Sequence, residues 1–246
     1  MAREKLTKKE IREIKKDWLA VSSAKAWDAV RKWKKAVSIA LILVIASAVG
    51  LWWTFRHAKE KEMKAAYAIS NAMELYSKKD EGVTPGSIIV KKKEGREENL
   101  RKALSGFQDV ARRYKGTKSG TDAIYFIGAC QYELGMDEEA LESYRRYLSK
   151  NPKGILAPMA AEAIGYIYEQ KGEYGKAVEA YKDAASKYER SFLGPKLYLD
   201  LGRAYELIGE KEKARESYNK VIEISPNSSW AQEAEIRANM LGRRGG

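Results

Sequence analysis

The sequence holds one cysteine, Cys130, one histidine, His57, and five prolines among its 246 residues. A single cysteine excludes an internal disulfide and any cysteine-based metal site. Cys130 falls inside an apolar helical pattern, where a packed, inert thiol is expected. His57 follows an uncharged stretch and has no cysteine or acidic cluster beside it, so it reads as an interfacial side chain. A Ser-His-Asp arrangement would have to be built on that distant residue. No catalytic residue, metal or cofactor is expected, and the chain does not read as an enzyme. With proline scarce and Ala, Glu, Lys, Leu and Tyr abundant, helix is favoured nearly throughout. At 44% hydrophobic and 33% charged residues, the chain can build one or two domains with a real core.

The net charge of +12 is unevenly placed. Residues 1–35 hold twelve Lys/Arg against five Asp/Glu, and the rest of the excess is spread over a long region of alternating charge. That distribution fits a basic membrane-proximal tail attached to a nearly balanced domain, so nucleic acid is not an expected partner. In the tail, Ile11, Ile14, Trp18 and Val21 recur at helical spacing, continued by Trp27, Val30 and Trp33. Two readings of residues 1–35 stand side by side: an amphipathic helix lying on an anionic leaflet, or a solvated extension of the following helix.

Residues 37–55 carry no charge, and residues 36–56 are read as a transmembrane helix. A helix of about twenty residues at about 1.5 Å per residue spans a hydrocarbon core of about 30 Å. Trp33 stands before the stretch and Trp52 and Trp53 near its end, as interfacial rings do, with Lys34, Lys35, Arg56 and Lys59 flanking. Ala46-Ser47-Ala48 fits a signal-peptide cleavage pattern. The apolar run nevertheless continues to Phe55 with no polar region before the cut, so an uncleaved signal anchor is expected. The basic tail favours a cytoplasmic N-terminus with the remainder outside, against the local contrast supplied by Arg56, Lys59, Lys61 and Lys64. Ala46 and Gly50 form a small-xxx-small pair, which leaves homo-oligomer formation open.

Beyond the anchor a repeat takes over. Gly128, Gly165 and Gly202 stand thirty-seven residues apart, each in the same helical context. Each is followed by a second glycine (Gly135, Gly172, Gly209), an alanine (Ala140, Ala177, Ala214) and a tyrosine (Tyr144, Tyr181, Tyr218). Pro152 and Pro226 close the first and third units. A fixed period of this length means stacked helix pairs, none of which buries its apolar face alone. Small residues let paired helices approach, and the tyrosines fill the gaps beside them.

Residues 57–115 are read as a first, atypical repeat. Its helices run from Lys59 to Ser77, packed through Tyr67, Ala68, Asn71, Ala72, Leu75 and Tyr76, and from Glu97 to Tyr114, packed through Ala103, Phe107 and Val110. An inserted loop at 78–97, broken by Gly82, Pro85, Gly86 and Gly95, separates them, with Ser87–Val90 extended. Within 116–242, three repeats are expected at about 121–153, 158–190 and 195–227. A capping helix at 228–242 would use Trp230, Ala234 and Ile236 to cover the last face. The fold class is all-α: one N-terminal transmembrane helix followed by an α-solenoid of helix-turn-helix repeats.

The Gly128-Gly135-Ala140-Tyr144-Pro152 pattern and its two echoes strongly resemble the tetratricopeptide repeat (TPR), over residues 60–242 approximately. The sequence departs from that pattern in carrying Ile124, Ala161 and Tyr198 where a tryptophan is expected, and in its longer period. The resemblance implies a concave surface lined by the first helix of each pair. By register this surface displays Tyr125, Tyr132, Met159, Glu162, Tyr166, Lys196, Leu199 and Arg203 as candidate partner-binding residues. Repeats that clamp a terminal carboxylate use Lys and Asn; the matching positions here hold Tyr125, Ala129, Glu162 and Tyr166, which lack that chemistry. Aromatic and apolar lining with scattered charge suits an extended polypeptide or a partner helix.

The layout as a whole, with Gly50-Leu51-Trp52-Trp53 followed by Ala65-Ala66-Tyr67 and a Lys5–Glu10 tail, resembles the YfgM-like family of bacterial envelope proteins. That resemblance implies an inner-membrane, single-pass protein with its repeats in the periplasm. It also implies an ancillary role beside the Sec translocon, periplasmic chaperones and nascent exported chains. Two other readings remain: a structural adaptor for a pilus, division or outer-membrane assembly complex, or a cytosol-facing scaffold that recruits soluble factors.

Overall fold

A computed structural model describes residues 8–78 and 89–243, with side chains described for residues 27–28, 31–34, 36–78 and 95–242. The described residues form helices only: α1 (Lys8–Ser77), α2 (Ile89–Arg113), α3 (Lys118–Glu133), α4 (Asp137–Lys150), α5 (Ala157–Gln170), α6 (Tyr174–Tyr188), α7 (Gly194–Leu207), α8 (Lys211–Ile224) and α9 (Ser229–Arg243). They fall into two compact units, Met1–Lys59 and Glu60–Gly246.

In the first unit, every side chain from Ala36 to Lys59 is exposed, including the whole uncharged run. This is the one helix among the described residues long and apolar enough to cross a membrane. At its polar end Trp53 stacks on His57 at 5.6 Å, and the Arg56 guanidinium lies 5.4 Å from the centre of the Trp52 ring. Most side chains of the 1–35 tail lie outside the described residues, so neither reading of its apolar stripe is addressed.

In the second unit, residues 60–77 of α1 pack against α2. Ala65, Ala72, Leu100, Ala103, Phe107 and Val110 are buried between them. The packed stripe is Ala65, Ala68, Ala72, Leu75 and Tyr76, while Tyr67 and Asn71 face solvent. These two lie about half a turn from the packed side that the sequence pattern predicts for them, since residue 67 lies roughly 200° around the helix from 65. Helix α2 also begins earlier than the sequence pattern implied: Ile89 and Val90 are helical, and Gly95 lies inside the helix. Residues 79–88, the bulk of the inserted loop, lie outside the described residues.

The boundaries of α3–α8 follow from local chemistry. Thr117 caps α3, its Oγ1 accepting from the Gly120 N–H at 2.9 Å. Glu62 adds to that cap from α1, accepting from the Lys118 and Ser119 N–H groups at 2.7 and 3.0 Å and from Ser119 Oγ at 2.6 Å. Burial acts to raise the Glu62 pKa, but these hydrogen bonds outweigh it and hold the carboxyl below its usual range. Thr117→Ala is expected to cost about 1 kcal/mol, read as a lower urea midpoint. Pro158 and Pro195 open α5 and α7, where the missing N–H has no intrahelical partner to lose.

The three paired helices end alike. Gly135, Gly172 and Gly209 take φ of 76°, 73° and 81°, a left-handed turn that a Cβ disfavours. The residue after each glycine bonds back to the helix, as Glu173 N does to Tyr168 O at 2.9 Å, giving a Schellman ending.

Packing explains the other member of each glycine pair. Tyr144, Tyr181 and Tyr218 lie buried directly over Gly128, Gly165 and Gly202. A Cβ on Gly165 would stand 2.5 Å from Tyr181 Cε1, and one on Gly128 would stand 3.0 Å from the Tyr144 ring. Ala140, Ala177 and Ala214 are fully buried at the same joints. At the C-terminal end, Ala231 and Ala234 of α9 are buried and Trp230 half-buried, but Ile236 points to solvent. Ile236 therefore does not help cover the last face, because it lies two residues, or about 200°, from the buried Ala234.

Candidate partner-binding face

Direct contacts between α5 and α7, and between α7 and α9, place the first helix of each pair side by side, with α6 and α8 packed as their partners. The Tyr132–Tyr166 ring pair joins α3 to this row, edge to face at 5.9 Å and 74°. Along it the eight sequence-selected residues separate into groups.

Tyr132 and Tyr166 form a half-open aromatic pair, Tyr166 being 39% exposed. Burial, then the neighbouring Tyr166 hydroxyl, pushes the Tyr132 phenol up to about 12, so it stays a neutral donor. Met159 is half-buried on the same helix as Tyr166. Tyr125 sits deeper, in an aromatic cluster with Phe126, Tyr144 and Tyr147 at centroid distances of 5.1, 5.5 and 5.9 Å. Leu199 is 3% exposed and packs into the core of α7, α8 and α9 beside Tyr218 and Ala234. Leu199 therefore does not belong to the exposed face that the repeat register predicts for it: with Lys196, Asp200 and Arg203 along the other edge of α7, it turns toward α8.

Glu162, Lys196 and Arg203 are brought together in an ion network with two residues the sequence pattern did not single out, Glu169 and Asp200. Lys196 Nζ lies 2.5 Å from Glu162 Oε1 and 2.8 Å from Asp200 Oδ2. Arg203 lies 3.2 Å from both Asp200 Oδ1 and Glu169 Oε1, and Tyr181 OH donates to Glu169 Oε2 at 3.2 Å. The motif repeats one unit on: Tyr218 OH donates to Glu206, and Arg237 of α9 approaches the same carboxylate at 3.6 Å. A buried tyrosine bonded to a glutamate twelve residues earlier, itself paired to an arginine of the next first helix, is thus a joint between repeats. The thirty-seven-residue spacing of Glu169 and Glu206, matching that of Tyr181 and Tyr218, is the sequence signal that marks it.

Asp200 is the costly member. The residue is 1% exposed, and Oδ1 accepts no hydrogen bond although Arg203 stands beside it. Burial pushes its pKa up to about 6 from 3.8, against the opposing pull of Lys196 and Arg203 and with help from Glu162. The folded state therefore binds a proton more tightly than the unfolded chain. The stability this contributes is complete below about pH 3.8 and disappears as pH rises through about 6. Asp200→Asn is expected to flatten this part of the profile, so that the variant gains on the parent between pH 4 and 6, measured by urea unfolding across that range.

None of these groups forms a nucleophile-base pair. Cys130 is fully buried, and burial pushes its thiol up to about 12, well away from a reactive thiolate. Among the described residues, no cluster of three His, Cys, Asp or Glu side chains has the arrangement to hold a metal. What the face offers is aromatic edges, phenol hydroxyls, a thioether and a band of paired charge.

Comparison with known proteins agrees with this geometry. Residues 122–154 and 156–227 each match a tetratricopeptide-repeat family model, so this part of the chain carries tetratricopeptide repeats. The chain is similar in fold to a tetratricopeptide repeat protein from Parabacteroides merdae, at 18% identity and a TM-score of 0.54, over 74% of this chain and 61% of that one. It is also similar to BtubC (BKLC) from P. vanneervenii, at 14% identity and a TM-score of 0.51, over 76% and 83% of the two chains. A putative kinesin light chain repeat protein from Podosopora anserina matches at 12% identity and a TM-score of 0.52, over 73% and 85%. At these identities the likeness is one of fold. No curated protein matches the sequence.

Proposed function

We propose that this chain is a membrane-anchored TPR scaffold that binds segments of other proteins on its first-helix face. The observation that carries the reading is the Tyr132–Tyr166 pair, which leaves aromatic surface open beside a band of ion pairs. Tyrosines held by packing give a ligand contact area at little entropic cost, and their hydroxyls can meet backbone amides. Met159, on the helix of Tyr166, adds an adaptable apolar contact. The ligand class is an extended chain or the apolar side of a helix.

The uncharged, fully exposed run in α1 supports anchoring, and the basic tail supports a cytoplasmic N-terminus with the repeats in the periplasm. In that setting the YfgM-like layout supports an ancillary role beside the Sec translocon and periplasmic chaperones. Gentle solubilisation of native membranes, capture of the full chain and mass spectrometry of what accompanies it tests the reading. Recovery of translocon subunits together with periplasmic folding factors is the expected result. Recovery of one defined envelope complex without them would make the protein an assembly adaptor instead. A topology reporter fused after Gly246 that scores cytosolic would exclude the periplasmic placement.

A further inference from the structure

We infer that the edge of the repeat unit formed by the links into α3, α5 and α7 docks on an anionic bilayer surface through Ile155 and Phe192, flanked by Lys115, Lys150, Lys153 and Arg190. The inference rests on the anchored reading above and adds a lipid contact to it.

The links 114–117, 151–156 and 189–193 each return the chain from a second helix to the next first helix. Short links between antiparallel helices collect at one edge, and contacts along that edge tie them together. Lys61 Nζ donates to Lys115 O at 3.0 Å, at the first link. Tyr188 OH, at the end of α6 where the third link begins, donates to Pro152 O in the second at 3.1 Å. Beyond it, Lys220 lies 3.5 Å from Glu189.

Ile155 and Phe192 occupy the same register position, thirty-seven residues apart, and are 70% and 59% exposed. Both sit at the tip of a link, where the fold could accept a polar residue, as Ser229 shows one period later. Lys115, Lys150, Lys153 and Arg190 are exposed around them and make no ion pair among the described residues. Nearby carboxylates are engaged: Glu62 caps α3, Glu189 meets Lys220, and Asp122 accepts from Tyr147 OH at 3.5 Å. Apolar tips ringed by unpaired cations are the composition of an interfacial lipid contact, in which the rings enter the headgroup boundary and the cations meet phosphates. The chain itself supplies proximity. Lys61, at this edge, follows Phe55, the end of the uncharged run, by six positions, so chain length alone limits their separation to about 20 Å.

The test uses the full chain with Cys130→Ala and Ser191→Cys, labelled at position 191 with an environment-sensitive fluorophore and reconstituted into vesicles containing brominated lipid. Brominated phosphatidylglycerol in phosphatidylcholine is expected to quench the label strongly. Ile155→Asp with Phe192→Asp, or Lys150→Gln with Lys153→Gln and Arg190→Gln, is expected to reduce that quenching several-fold while the circular dichroism melt is retained. Intrinsic tryptophan emission, to which Trp33, Trp52 and Trp53 contribute, reports insertion separately. Quenched tryptophans with an unquenched label would overturn the edge contact and leave the anchor standing. If neither is quenched, both the contact and the anchoring reading fail. Equal label quenching by brominated phosphatidylcholine alone would overturn the anionic assignment.

Discussion

Gly165→Leu is expected to lower the stability of the repeat unit by about 3 kcal/mol, at the upper end of what overpacking costs. The cause is local and severe. A Cβ at this position meets Tyr181 Cε1 at 2.5 Å and Cδ1 at 2.6 Å, and the Tyr181 ring is fully buried, so it has nowhere to retreat. The remaining atoms of leucine would have to part α5 from α6. Because each repeat leans on its neighbours, the damage extends to the Glu169–Arg203 joint as well. Gly175→Ala provides the contrast: Gly175 is helical with open space where a Cβ would go, and the variant should be neutral or gain up to about 1 kcal/mol. Urea unfolding followed by circular dichroism distinguishes the two. An unchanged midpoint for Gly165→Leu would contradict the seating of Tyr181 on Gly165.

Tyr132→Ala combined with Tyr166→Ala is expected to lower partner affinity by at least about 30-fold, since a central aromatic anchor is typically worth 2 kcal/mol or more. The effect on folding should be the smaller one. Tyr166 is partly open, and the ring pair bridges α3 and α5 at the surface, whereas Tyr144, Tyr147 and Tyr181 carry the core. Titration of the purified full chain with a captured partner, alongside its unfolding curve, reads both quantities. A variant that loses stability and affinity together would assign the pair to the core and leave the face without its anchor.

Much of this fold is readable in the sequence because its strongest constraint is steric and periodic. A ring lying on a glycine in each of the pairs α3–α4, α5–α6 and α7–α8 forces both residues to return every thirty-seven positions, and Gly135, Gly172 and Gly209 return because each turn needs a positive φ. The uncharged run is readable for an equally simple reason, since a single charge would interrupt it. What the sequence conceals depends on rotation about a helix axis or on the angle between repeats. Tyr67 and Ile236 look like packed residues until their neighbours fix which side of the helix is buried. Leu199 and Lys196 stand one turn apart on α7, yet the first fills the core and the second joins Glu162. The Glu169–Arg203–Asp200 network spans residues thirty-four apart, off the period of the repeat, because an arginine reaches back to the preceding unit. The glutamates of the joint keep the period, but their arginines do not: Glu169–Arg203 and Glu206–Arg237 span thirty-four and thirty-one residues.

The central claim is that the first-helix face is where this protein meets its partners. The most direct measurement is site-specific photo-crosslinking in native membranes, with a photoreactive side chain at Tyr166 and, as control, at exposed Glu179 on α6. Discrete crosslinks from position 166 to translocon subunits, chaperones or exported chains, absent from position 179, are the expected result. Crosslinks from 179 with none from 166 would contradict the claim and move the binding surface to the second helices.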